Sequence, residues 1–439
     1  MNIILLSGGS GKRLWPLSND IRSKQFIKLF NNPDGERESM VQRVYRQIKK
    51  IDPSSVVTIA TSKSQVSSIR NQLGQDVCLS VEPCRKDTFP SILLASAYLH
   101  YVKGLSIDES VVVCPVDPYV NDDYFYALKK LIELSDENVA NIVLMGITPT
   151  YPSEKYGYIL PKSNETVSKV DSFKEKPDEI TAQNYINNGG LWNGGVFAFK
   201  LGYVLEKGHQ LIGFTDYADL ISKYDLLNKI SFDYAVVEKE DDIAVYRFSG
   251  GWKDIGTWNT LTESMEDKSL GDVRFDDFCE NVHVINELGV PILVMGLRDI
   301  VISASSQGIL ISDKERSAHI KPYVEKINQQ VMFADKSWGN YRVIDIGNNS
   351  LTVKVSLNPG QRMNYHSHEK RDEVWTVVSG KGKTIVDGME QIVKTGDVIT
   401  MSAGCKHTVI AGKSGIQLIE VQLGDEICVV DKNKFEFDF

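Results

Sequence analysis

The sequence predicts an α/β protein: a three-layer domain of parallel strands and helices, followed by two regions made almost wholly of short strands. Two observations carry this. Up to about residue 265, short β-branched runs alternate with helically spaced apolar patterns, which implies parallel strands joined by crossover helices. Beyond that point the helical period fades, and short β runs follow one another with Gly, Asn and Asp between them. The expected divisions are residues 1–265, 266–330 and 331–439.

Within the first division, "NIILLS", "SVVTIAT", "SVVVCPVD" and "NIVLMGI" read as strands, with "SMVQRVYRQIKKI" and "PSILLASAYLHYV" as helices between them. Ligands of such sheets sit beyond the carboxyl ends of the strands. The segment from Asn281 to Asp313 is a series of short strands, "SAHIKPYVEKINQ" predicts one connecting helix, and from "SWGNYRVID" onward the pattern is that of a sandwich or small barrel.

Composition narrows the function classes. With 42% hydrophobic and 24% charged residues the chain is an ordinary globular one, and its net charge of -9 argues against a nucleic-acid partner. The opening "MNIILLSGG" lacks the features of a signal peptide, and no apolar run approaches a membrane span, so the expected location is the cytoplasm with no membrane partner. The six cysteines are scattered without a CxxC pair, which indicates neither a disulfide framework nor a thiolate zinc site.

"SGGSGKRLWPLS", residues 7–18, leaves the first strand. A glycine-rich turn between strand and helix brings backbone N–H groups close to phosphate oxygens, and here Lys12 and Arg13 add positive charge. The run fits neither G-x-x-x-x-G-K-[ST] nor G-x-G-x-x-G, and a Gly/Ser stretch after a strand is commonly only a turn. Asp117 closes "SVVVCPVD" at the ligand-facing edge of the sheet, and Asp254 lies in the Gly-bounded turn "WKDIG". Transfer at phosphorus needs cations near the phosphates and carboxylates to hold Mg²⁺, which takes one or two such ligands. An Asp at a strand end is as readily a turn residue.

The ordered set "SGGSGKRLWPLS", "SKQF", "EPCRKDT", "GITPTYPSEKYGYI", "FKEKP", "LWNGGVFAF", "DYAVVEK" and "GGWKDIGTW" resembles the sugar-1-phosphate nucleotidylyltransferases, and "RLWPLS" resembles the mannose-1-phosphate guanylyltransferases in particular. The resemblance implies a Rossmann-like nucleotidyltransferase domain with a left-handed β-helix-like connector behind it. It implies attack by mannose 1-phosphate on the α-phosphorus of GTP, giving GDP-mannose and pyrophosphate. It also implies roles. Asp117 and Asp254 hold Mg²⁺, Arg13 and Lys24 stabilise the phosphates, and Gly8, Gly9, Ser10, Gly11, Lys12, Glu82 and Asp87 contact the nucleotide. Gly157, Glu175, Lys176 and Asn193 line the sugar-phosphate site. The chain departs from the family at Lys12, Ser23, Lys86, which stands for the usual Arg of the "EP" segment, and Pro118, where His is common. These departures bear on base and sugar choice more than on the chemistry.

From Gly360, "GQRMNYHSHEKRDEVWTVVSG" fits the first cupin motif, G-x5-H-x-H-x4-E-x6-G, and "GDVITMSAGCKHTVIA" fits the second in part, through Gly396, Gly404 and His407. Alternate histidines on a strand share a face. His366, His368, Glu373 and His407 therefore converge in a cupin (jelly-roll) barrel as ligands for Zn²⁺ or another divalent metal, the alternative being a merely polar interior. The arrangement resembles long guanylyltransferases whose C-terminal cupin is like type II phosphomannose isomerase. Isomerase-competent members have two residues between the second His and the Glu, whereas this chain has the four of "EKRD", which counts against that activity. Other readings are a transferase for another sugar phosphate or nucleotide, a bifunctional enzyme, and a non-catalytic sugar-nucleotide sensor. The β-rich connector suggests a homodimer.

Overall fold

The computed structural model describes residues 1–9, 12–19, 21–327, 330–428 and 431–436. The chain divides into two compact units, Met1–Ser10 with Gln25–Glu266, and Gly11–Lys24 with Asp267–Phe439.

The first unit is built on nine strands, labelled β1 (Asn2–Ser7), β2 (Val56–Ser62), β3 (Cys78–Glu82), β4 (Ser110–Pro115), β5 (Ile142–Ile147), β6 (Tyr158–Pro161), β7 (Val167–Lys174), β8 (Leu191–Lys200) and β9 (Ile243–Phe248), in the sheet order 3-2-1-4-8-5-9-7-6. Ile3–Leu5, Val111–Val113 and Ile142–Met145 are fully buried, because helices cover both faces of the sheet. The helix Met40–Ile51 starts at a capping box of Ser39 and Gln42, and Thr88–Ala97, wholly buried after its first residue, starts on Asp87. β1 pairs in parallel with β2 and β4, and β2 with β3, as the alternation predicts. The remainder is not all parallel. β8 runs antiparallel to β4 and β5, and β6 and β7 form an antiparallel pair. The connection between β6 and β7 is too short for a crossover, so it can join only antiparallel neighbours.

In the second unit, Ser269–Leu270, His283–Asn286 and Ile300–Ser305 stack in parallel, as do Val273–Phe275 and Ile292–Val294. This short coil closes on Val273, Val282, Val284, Val294 and Ile302. Residues 11–24 belong to it. Ser305 Oγ donates to Pro16 O at 2.8 Å, Arg22 grips Glu287 at 2.8 and 2.9 Å, and Trp15 lies on Gly308. The single helix expected over "SAHIKPYVEKINQ" is instead a 3-10 turn, Arg316–His319, and a one-turn helix, Lys321–Val324. Pro322, with no N–H to donate, holds only a first-turn position.

The cupin barrel is antiparallel and organised by one long strand, His407–Leu423, which pairs with Ser350–Leu357 and with Asp372–Val386. Glu373 stands opposite Gln422, and Trp375 opposite Glu420, so pleating turns these four side chains to one face. Around them pack Val353, Val355, Val377, Val409 and Leu418.

Gly308 has φ +149°, and a Cβ there would lie 2.5 Å from Trp15 Cζ2. Gly308→Ala is expected to destabilise the second unit by about 1–3 kcal/mol, read from the midpoint of equilibrium urea unfolding.

Candidate active site

A crevice of about 310 Å³ opens where β1, β2, β3 and β4 end. Gly8 and Gly9 form one wall, Glu82, Arg85 and Asp87 another, and Asp117 lines it after β4. The wall at Ser7–Gly9 is pinned from beneath. Gln65 Nε2 donates to Gly9 O at 3.3 Å, Thr61 Oγ1 donates to Ser7 O at 3.1 Å, and Gln25 Nε2 donates to Ser7 Oγ at 3.3 Å. Nothing lies within 4 Å of a Cβ built on Gly8 or Gly9, so both backbones face open space that a ligand can enter.

Asp254 ends a short strand, Trp252–Asp254, that pairs antiparallel with Pro118–Val120. Asp254 stands opposite Pro118, one residue from Asp117. Two aspartates distant in the chain are thus neighbours at one rim. All-oxygen donors of this kind suit a hard divalent cation such as Mg²⁺.

The residues expected around a sugar phosphate also meet. Asn193 N donates to Gly157 O at 2.8 Å, Lys176 Nζ pairs with Glu175 Oε1 at 2.6 Å, and a Cβ on Gly157 would sit 2.5 Å from Glu175 Oε2. Asn193 Nδ2 donates to Asp233 Oδ1 at 2.6 Å. Tyr151 and Tyr156 pack on Trp192, and Tyr156 and Trp192 on Trp252, giving an aromatic wall. Burial pushes the Asp233 carboxyl up to about 6, against the hydrogen bond from Asn193, with the nearby Glu175 adding to the rise.

The "EP" segment corrects one expectation. Lys86 does not stand in for an arginine at the crevice: its Nζ donates to Leu227 O at 2.8 Å and to Asp225 O, and Arg85 is the residue at the crevice. Glu82 is buried there, its Oε1 accepting from Tyr224 Oη at 2.8 Å. Burial raises its carboxyl above the usual range despite that bond. Asp87, at φ 73°, accepts from Thr88 N at 2.8 Å, so its carboxylate also caps the following helix.

Arg13 and Lys24 lie in the segment that belongs to the second unit, so the constellation within the first unit does not include them. Arg13 is exposed in the 3-10 turn that Lys12 opens, and Lys24 opens a second turn. Ser10 and Gly11 lie outside the described residues, as does the side chain of Lys12.

In the cupin, His366, His368 and His407 are buried with ligand atoms within 4.8 Å of one another. Each ring is oriented through Nδ1 by a backbone carbonyl: Asn364 O at 2.6 Å for His366, Cys405 O at 3.0 Å for His407, and Asp431 O for His368. Those bonds fix the Nδ1–H tautomer and leave the Nε2 lone pairs facing inward. His407 Nε2 is buried 3.3 Å from Glu373 Oε2 with no hydrogen bond aligned to it. Burial, helped by the charge of Lys432, lowers His366 to about 2, and burial lowers His368 to about 4 against the pull of Glu373. Burial opposes ionisation of Glu373, but the close approach of His407, His368 and Arg371 holds it at about 2. Imidazoles and one carboxylate are the donor set of a divalent transition metal.

The extra residues between His368 and Glu373 do not break this set. Asp431 Oδ1 and Oδ2 accept from Glu369 N at 2.9 Å and Lys370 N at 3.1 Å, which folds them outward. Arg371 then returns to donate to Glu373 Oε1 at 3.1 Å and to His368 Nε2 at 3.0 Å. A cavity of about 190 Å³ adjoins the histidines, lined also by Arg371, Glu420 and Lys432.

Sequence reasoning missed Gln25, Thr61, Gln65, Arg85, Asp233 and Asp431. Of these Gln25, Arg85 and Asp233 sit inside segments that carry the resemblance, and the others act on partners remote in the chain.

A family model described as nucleotidyl transferase matches residues 2–269, and one described as mannose-6-phosphate isomerase C-terminal matches residues 325–436. The chain is 29% identical to the xanthan biosynthesis protein XanB of Xanthomonas campestris pv. campestris strain B100, over 99% of this chain and 97% of that protein. It is 28% identical to a mannose-1-phosphate guanylyltransferase of Escherichia coli K12, over 96% and 95%. A solved structure described as mannose-1-phosphate geranyltransferase from Thermus thermophilus matches with TM-score 0.62 and 26% identity, covering 74% of this chain and 98% of that one.

Asp233 yields a pH prediction. Its carboxyl holds a proton to about pH 6 in the folded state, whereas an unfolded aspartate releases it near pH 4, so the folded state binds more protons between those values. The wild type should lose up to about 3 kcal/mol of stability relative to Asp233→Asn as pH rises from about 4 to about 6, and no more above it. Parallel urea titrations of the two proteins measure the difference.

Proposed function

The chain belongs to the nucleotidyl transferase family, and from that premise we propose that it joins GTP to mannose 1-phosphate, forming GDP-mannose and releasing pyrophosphate. The observation that carries this reading is the pairing of Trp252–Asp254 with Pro118–Val120, which seats Asp254 beside Asp117 at the mouth of a crevice walled by Gly8 and Gly9. Asp117 and Asp254 would hold Mg²⁺, whose charge neutralises the phosphates. The amides of the Ser7–Gly9 turn receive phosphate oxygens. Lys176, Glu175, Asn193 and the Gly157 backbone bind the sugar phosphate. A phosphate oxygen of the acceptor is ionised near neutral pH, so the attack at the α-phosphorus needs no general base. The relatives' names, xanthan and alginate biosynthesis among them, support a role in supplying polysaccharide assembly.

A second reading concerns the cupin. The convergence of His366, His368 and His407 beside Glu373, kept although Glu369 and Lys370 fold outward, favours a divalent metal site, and with it conversion between fructose 6-phosphate and mannose 6-phosphate. His366, His368, His407 and Glu373 would hold the metal, which polarises the sugar oxygens when bound. Burial brings Glu420 up to about 8 and Lys432 down to about 8, so two groups facing the same cavity can carry a proton between C1 and C2 near neutral pH.

With GTP, mannose 1-phosphate and Mg²⁺, the wild type should release pyrophosphate, and Asp117→Asn and Asp254→Asn should each lower kcat by about 100-fold or more. A near-normal rate in either variant removes that aspartate from the site. In the cupin, His366→Ala should abolish bound transition metal by elemental analysis while pyrophosphate release changes by less than about twofold. Absence of mannose 6-phosphate formation from fructose 6-phosphate by the metal-replete wild type would eliminate the second reading.

A further inference from the structure

Resting on the transferase reading, we propose that Arg85 selects the base of the nucleotide, its guanidinium fork donating to O6 and N7 of guanine. The sheet order places the base. β3, which ends at Glu82, lies three strands from β4, which leads to Asp117, a distance of about 14 Å across the sheet. The phosphates belong at the Asp117 end, with the carboxylates and the glycine turn, so the nucleotide extends along the strand ends toward β3. Its base arrives between Glu82 and Arg85.

Among the described residues lining the crevice, Arg85 is the cationic one. Lys86 is turned away to the carbonyls of Asp225 and Leu227, and the Asp87 carboxylate is engaged by Thr88 N. One terminal nitrogen of Arg85, Nη2, touches Ser62 Oγ at 3.4 Å, a long contact that steadies the side chain and leaves the other donors of the fork for a ligand. The buried Glu82 carboxylate, held by Tyr224, lies close enough to feel the Arg85 charge, so a donor fork and an acceptor stand side by side. Guanine presents the complement: two acceptors on its N7/O6 edge and donors on the adjoining N1/N2 edge. Adenine would set its N6 amino group against the guanidinium donors, and a pyrimidine lacks N7 altogether.

The experiment compares kcat/KM for GTP and 7-deaza-GTP, which differ only at the N7 acceptor, in the wild type, Arg85→Ala and Arg85→Lys. The wild type should favour GTP by about tenfold or more, and both variants should bring the ratio close to one, since lysine keeps the charge without the fork. Should the variants weaken GTP and 7-deaza-GTP equally, so that the wild-type ratio persists, Arg85 contacts phosphate or acts only on the loop, and the proposal fails. A wild type with no preference for GTP over 7-deaza-GTP also overturns it. A wild type that uses UTP or dTTP in place of GTP overturns the guanylyl-transfer reading itself, which the first substrate panel reveals before any variant is made. Arg85 is exposed, so unchanged thermal unfolding of the variants confirms that the ratio reports recognition.

Discussion

The short antiparallel ladder between Trp252–Asp254 and Pro118–Val120 is the contact on which the proposed transferase site depends. It carries the last segment of the first unit back onto the loop that follows β4. Without it Asp117 would stand alone at a strand end, where an aspartate is an ordinary turn residue. The approach is close at both glycines. A Cβ on Gly250 would lie 2.0 Å from Asp123 Oδ2, and one on Gly251 2.6 Å from Asn121 Nδ2. "GGWKDIG" is therefore legible twice over: its glycines admit the strand, and its aspartate is what the strand delivers.

The same logic of close approach shapes the sugar side. Glu175 comes near the backbone of Gly157 because no side chain intervenes, while Asn193 is oriented by bonds to Gly157 O, Asp233 and Gly195 N. Asp233 is fixed by Asn193 on one side and deprived of water on the other, which leaves its charge sensitive to what enters the site. Its neighbour Lys176 stays exposed, and its φ of 43° and its ion pair with Glu175 define its position.

The alternation of period in the first part of the chain carried the central strands and the helices over them, and the spacing of His366, His368 and Glu373 carried the cluster of side chains inside the barrel. Both signals are local, because side-chain direction repeats every two residues in a strand and every 3.6 in a helix. What lay beyond reach was direction set by distant partners. Lys86 and Arg85 are adjacent cations, and only the carbonyls of Asp225 and Leu227 decide which of them leaves the crevice. The antiparallel entry of β8 is a tertiary choice that its apolar pattern does not encode. The course of the four residues before Glu373 is set by Asp431, far along the chain, which takes up Glu369 and Lys370.

The two constellations also differ in chemistry. Near β4 the donors are carboxylate oxygens at an open crevice, which suit a hard cation that keeps part of its water and shares its remaining positions with phosphate. In the barrel they are three buried imidazoles aimed by backbone carbonyls, with one carboxylate held ionised among them. Ligand type and access, more than raw affinity, decide which ion a site keeps. On the proposed assignment the two donor sets would sort their metals by donor atom, a hard cation at the crevice and a transition metal in the barrel.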